Sequence, residues 1–195
     1  MLHNPNLSLK TKKLKVVEAM VMGLSNKLIS KELDIPIKTI ERILNELNKK
    51  FFNKSKLYNP RVRLLVTCLN KGLIEYQSET ELREIQGLNS NLNKTLILSC
   101  IGFSNKAIAQ FFGLSEKAIE LRFSQLFDYF NVDTKNQSAE NPRISLFISA
   151  YLRKNINKTQ LSRLFKETQV DRLEQILENP GLFLERLEDS HKFIG

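Results

Sequence analysis

The segment GLSNKLISKELDIPIKTIERI (residues 23–43) returns 79 residues later as GFSNKAIAQFFGLSEKAIELR (residues 102–122). Gly23/Gly102, Ser25/Ser104, Asn26/Asn105, Lys27/Lys106, Ile29/Ile108, Lys38/Lys117, Ile40/Ile119 and Glu41/Glu120 are identical pairs, and no gap is needed between them. A register kept that long marks one supersecondary unit used twice. Any fold for this chain must place the same local structure in both stretches.

That local structure reads as helix, turn, helix. A first helix from about Lys10 to Met22 turns Val17, Met20 and Val21 inward and ends at Gly23, where a left-handed residue costs little. Ser25 caps a short second helix from Asn26 to Leu33. Asp34-Ile35-Pro36 makes the turn, Pro36 suiting the first turn of the third helix, Ile37 to Phe51. In that helix Ile40, Leu44, Leu47 and Phe51 form an apolar stripe, and Lys38, Glu41, Arg42, Asn45 and Lys49 lie on the other side. A fourth helix runs from Pro60 to about Lys71.

The second copy follows the same plan: helices from Ser90 to Ile101, after Ser104, and from Glu116 to Phe130, with Ser115 as cap. Asn141-Pro142-Arg143 echoes Asn59-Pro60-Arg61 at an offset of 82, so three residues were inserted in the preceding loop. The expected fold class is all-α: two tandem four-helix helix-turn-helix domains and a C-terminal helical tail. The boundaries are 1–73 for repeat one, 74–87 for an acidic, partly helical connector, 88–155 for repeat two and 156–195 for the tail. The tail reads as two or three short amphipathic helices broken at Asn179-Pro180-Gly181, packed on repeat two or serving a partner.

Charge separates the repeats. Residues 1–73 carry 15 Lys+Arg against 5 Asp+Glu, residues 74–155 carry 9 of each, and residues 156–195 carry 6 against 7. The whole excess of +9 lies on repeat one. A basic module of this kind matches a polyanion partner, the alternative being a solvated lysine-rich surface. With 42% hydrophobic residues the chain has material for a core. It has no apolar run of membrane-spanning length. The N-terminus lacks the apolar core of a signal peptide, which predicts a cytoplasmic protein. Cys68 and Cys100 stand alone among apolar neighbours and read as core residues rather than a disulfide or metal site. Neither a Cys/His cluster nor a glycine-rich phosphate loop is present, and His3 and His191 lie near the ends. The expectation is no enzyme, no metal and no cofactor.

At these residues the sequence resembles the LuxR/GerE-type helix-turn-helix family, the four-helix DNA-binding domain of many bacterial transcription regulators. The resemblance rests on Leu9, Val16, Val17, Gly23, Ser25-Asn26-Lys27, Ile29, Leu33, Ile35, Thr39-Ile40, Leu47 and Lys50-Phe51. It covers 9–73 well and 88–154 more loosely; sigma-factor region 4 shares the general layout. It implies that the third helix enters the major groove of double-stranded DNA while the second braces it. By position, Glu41, Arg42 and Asn45 take the base-facing sites. Lys38, Thr39 and Lys49 take backbone sites, with Lys27 a further phosphate contact. Ile43 stands where the family often has histidine, Pro36 replaces the usual serine cap, and Glu41 stands where lysine is common. Chemistry supports the roles independently: Arg42 can bond a guanine edge twice and Asn45 an adenine edge. Glu41 accepts from a cytosine amino group or pairs with Arg42 or Lys38.

Repeat two keeps the stripe as Ile119, Phe123, Leu126 and Phe130 but changes the polar face. Arg42 becomes Leu121, Asn45 becomes Ser124, Lys49 becomes Asp128 and Thr39 becomes Ala118. Lys117, Glu120, Arg122 and Ser124 remain as a weak DNA-contact set. The expectation is a partner or dimerisation platform, or a weak second head. Relatives commonly dimerise through the fourth helix. The corresponding residues here are Val62, Leu65, Val66 and Leu69, with Ile144, Phe147, Ile148 and Tyr151, and they serve either a homodimer or an intramolecular pseudo-dimer. No receiver or ligand-sensing domain is expected, which leaves RNA polymerase or another regulator as protein partners. The competing function is a protein-interaction adaptor or sigma-region-4-like module that keeps the fold without reading DNA.

Overall fold

Both GxSNK segments fold as a helix end, a tight turn and the start of a new helix. The computed structural model describes residues 11–51, 57–76, 87–135, 141–153, 155–168, 176 and 180–189, and it is all-α there. Its helices are α1 (Thr11–Val21), α2 (Asn26–Leu33), α3 (Ile37–Phe51) and α4 (Pro60–Asn70), then α5 (Ser90–Ile101), α6 (Asn105–Phe112), α7 (Glu116–Tyr129) and α8 (Pro142–Leu152). The tail adds α9 (Lys158–Glu167) and α10 (Pro180–Asp189). None is long and apolar enough to cross a membrane.

The turn chemistry follows the sequence. Gly23 and Gly102 have φ of +94° and +100°. The Gly23 and Leu24 amides donate to the Met20 and Ala19 carbonyls, and the Gly102 and Phe103 amides repeat this at Ser99 and Leu98. These paired bonds satisfy the carbonyls that a helix end leaves open. Ser25, Ser104 and Ser115 accept from the amides of Leu28, Ala107 and Ala118. Pro36 differs from expectation. It precedes α3 and its carbonyl accepts from the Ile40 amide, which puts it at the cap rather than in the first turn. It therefore supplies fixed geometry where Ser115 supplies a side-chain acceptor.

The stripes are buried as expected at Ile40, Leu44 and Leu47 and at Ile119, Phe123, Leu126 and Phe130. The side chain of Phe51 and the connector residues 77–86 lie outside the described residues. Every residue of α4 from Val62 to Leu69 is buried, as is every residue of α5 from Thr95 to Ile101. A helix with no solvent face must be surrounded. Here α4 packs on α3 of its own repeat, on α5 and α8 of the other, and on α9 of the tail. The tail thus touches both repeats through α9, while α10 lies on α5 and α6. Buried residues from both repeats and the tail form one continuous core.

Candidate nucleic-acid interface

α3 is fixed from behind and open in front. Its stripe is held by α1, α2 and α4, so Lys38, Glu41, Arg42, Asn45 and Lys49 are all exposed on one side. Thr39 is half-buried, and Lys27 is exposed in the first turn of α2. Lys38, Glu41, Arg42, Asn45 and Lys49 are therefore gathered on one accessible face of α3. They can meet a polyanion without any change in the core.

The carboxylate on this face that finds a partner is Glu46, not Glu41. Lys13 on α1 bonds Glu46 at 2.5 Å. That bond holds the Glu46 carboxyl below the usual carboxylate range, and the charges of Arg42 and Lys49 lower it further. Among the described residues Glu41 forms no ion pair. The paired-Glu41 expectation is thus replaced by an α1–α3 strut at Glu46, which the sequence reading did not single out. Its signal was a carboxylate flanked at i−4 and i+3 by Arg42 and Lys49.

Two arginines counted in the basic excess of repeat one are structural. Arg61 donates to the Leu24 carbonyl at 3.2 Å and to the Asn26 side chain. Arg143 does the same in repeat two, reaching the Phe103 carbonyl and Asn105 Oδ1 at 3.0 Å each. The repeated Asn-Pro-Arg and Ser-Asn-Lys motifs are thus two halves of one clamp, tying the start of the fourth helix to the start of the second. Arg143 also lies 3.7 Å over the Phe123 ring. Arg63 is buried between the Tyr58 and Phe165 rings at 4.4 and 3.7 Å. It donates to the Ile101 carbonyl and to Thr168 of the tail. Burial pulls all three guanidiniums below their usual range. Their acceptors are carbonyl, amide and hydroxyl oxygens, which make such burial tolerable. Sequence reading missed Arg63 because nothing in repeat two matches it: its counterpart is Ser145.

The second third-helix presents a different surface. Lys117, Glu120 and Ser124 are exposed on α7, with Asp128 and a Leu121 that is 64% accessible. Arg122 stands apart from them. It lies over the Phe112 ring at 4.3 Å and donates to Thr95 Oγ1, in the register of the buried Ile43. The expected helix-four faces are turned into the chain. Val62, Leu65, Val66, Leu69, Ile144 and Phe147 are buried, and Ile148 and Tyr151 are half-buried against the core.

No protein-family model, curated protein or solved structure matches this chain. Among the described residues no cluster of three or more His, Cys, Asp or Glu side chains could hold a metal ion.

Proposed function

We propose that this protein is a DNA-binding transcription regulator of the cytoplasm, in which α3 reads the major groove and repeat two is its platform. The observation that carries the reading is the exposed row of Lys38, Arg42, Asn45 and Lys49 opposite the buried Ile40, Leu44 and Leu47. An α-helix of this width fits the major groove, where Arg and Asn each make two-pronged contacts to one base type. Lys27, Lys38, Thr39 and Lys49 supply backbone contacts that set the register. The resemblance of residues 9–73 to LuxR/GerE-type domains points the same way. Repeat two keeps the scaffold but has lost the arginine and asparagine. Its leucine and carboxylates are poor company for phosphates.

The test is a fluorescence titration of the full chain against DNA selected from a random pool. With about five phosphate contacts, affinity should fall with salt at a log–log slope of about −4.5. Arg42→Ala should lose roughly 1–3 kcal/mol and relax preference at one base pair. Unchanged selectivity would remove Arg42 from the reading face.

One observation favours an adaptor as the second reading for repeat two alone. Leu121 projects from α7 beside Glu120, as an anchor for another regulator or RNA polymerase would. On that reading Leu121→Ala weakens binding of the protein partner while DNA affinity stays unchanged.

A further inference from the structure

Two backbone contacts between the repeats are reciprocal. The Asn59 amide donates to the Gly102 carbonyl at 2.6 Å, and its counterpart Asn141 donates to Gly23, the counterpart of Gly102, at 2.7 Å. Gly102 lies against Arg63 on α4, and Gly23 lies against Ser145, which holds the same place on α8. When residue i of one unit meets j of the other, and j meets i in return, the operation relating them is a two-fold rotation. The repeats therefore meet as two subunits of a symmetric dimer do, joined in one chain. The fourth-helix surfaces that a second copy would need are consumed in this contact. The two-fold preserves neither Arg63, whose counterpart is Ser145, nor the reading face, where Thr39, Arg42, Asn45 and Lys49 correspond to Ala118, Leu121, Ser124 and Asp128.

We infer that one chain is the DNA-binding unit, and that its ligand is a non-palindromic duplex read through a single half-site by α3. The α7 face occupies the two-fold-related position over the neighbouring half-site without reading it. This rests on the DNA-binding reading above. It also makes the missing second specificity a property of four surface side chains and not of the fold. Restoring them creates a two-headed reader from one chain.

The experiment compares the full-length protein with a variant carrying Ala118→Thr, Leu121→Arg, Ser124→Asn and Asp128→Lys. Both are used to select sites from random duplex DNA, and the mass of each complex is measured by sedimentation. The expected wild-type result is one undivided motif with one chain per duplex. The variant should select an inverted repeat of that motif, still one chain per duplex, and bind it about tenfold or more tighter than the wild type does. Two wild-type chains on an inverted repeat would overturn the inference, as would a variant that keeps the single motif or bridges two duplexes. If the wild type selects no motif, the DNA reading itself fails, which is a distinguishable outcome. If the variant does not fold, wild-type stoichiometry and motif symmetry decide alone.

Discussion

The backbone amide of Asn141 donates to the carbonyl of Gly23 across 118 residues of chain. The start of α8 is thereby held by the turn that opens α2, and Asn59 holds Gly102 in the same way. Each repeat completes the other at the point where its own motif is most similar to its partner's. A helix-turn-helix unit that stood alone would leave these turn carbonyls to water. Here they join the repeats directly, so damage to either turn is felt in both.

The two glycines should not be equally sensitive. Each has a left-handed φ, so alanine at either costs roughly 1–2 kcal/mol. At Gly23 a Cβ would meet Ser145 Oγ at 3.5 Å, an ordinary contact. At Gly102 it would meet backbone atoms of Arg63 at 3.0 and 3.1 Å, and a buried helix cannot move aside. Gly102→Ala is expected to cost roughly 1–3 kcal/mol more than Gly23→Ala. Urea unfolding of both variants checks the order.

Arginines of the same charge should separate by role. Arg143→Ala removes the donors to the Phe103 carbonyl and the Asn105 side chain together with the guanidinium that covers the Phe123 ring. It should destabilise by roughly 1–3 kcal/mol. Arg61→Ala should cost less, because burial shifts its guanidinium less than that of Arg143. Arg42→Ala should leave stability within about 0.5 kcal/mol, as an exposed substitution does. Thermal melts paired with DNA titrations distinguish the classes: Arg61 variants lose stability without a change of base preference, and Arg42 variants the reverse.

A fragment ending at residue 76 should not behave as a small independent domain. It would uncover the sides of α4 that α5, α8 and α9 now cover, including Leu64 and Leu65. Apolar surface of that kind drives association. The fragment is expected to sediment as oligomers or to lose a cooperative melt; a monomer with a sharp transition would show that the repeats fold separately.

Alkaline pH should unfold the protein earlier than its arginines suggest. Burial pushes the thiols of Cys68 and Cys100 and the phenol of Tyr58 each up to about 12. These groups ionise first in the unfolded chain, where the thiols have a value of 9.0. The folded state then holds more protons than the unfolded state, so stability is full below about pH 9 and falls as pH rises towards 12. Each group contributes up to about 1.4 kcal/mol per pH unit in its window. Burial pulls the guanidiniums of Arg63 and Arg143 down to about 10 and about 9, which acts in the opposite sense and offsets part of this fall. Urea midpoints measured between pH 8 and pH 11 check the sign. In the native state both thiols should resist a thiol-specific disulfide reagent and react only when the chain opens.

Much of the candidate interface is legible in the order of residues alone. The polar face of α3 is a short-range property: five residues at helical spacing opposite an apolar stripe can face only outwards. Helix ends are legible for the same reason, since Gly23, Ser25, Ser104 and Ser115 set them through bonds to residues three or four places away. The Lys13–Glu46 strut is not legible, because it joins residues 33 positions apart on two helices whose crossing the sequence does not give. Arg122 misleads for a related reason. Its chemistry suits a DNA face, but its register is that of Ile43, and Phe112 and Thr95 draw it inwards.

By itself the sequence determined the repeated helices, their caps and turns, and the chemical contrast between the faces of α3 and α7. All of these arise from periodicity and local hydrogen bonding within one turn or one helix. Only the tertiary structure decided that the fourth-helix stripes are spent inside the chain, that Arg61 and Arg143 clamp the motifs of their own repeats, and that Arg63 anchors the tail through Thr168. Those outcomes depend on which surfaces meet, and an apolar stripe carries no label for its partner. Burial against the other repeat and burial against a second copy draw on the same non-directional force. What separates them here is the reciprocal pair of backbone bonds from Asn59 to Gly102 and from Asn141 to Gly23, whose geometry exists only once both repeats are folded together.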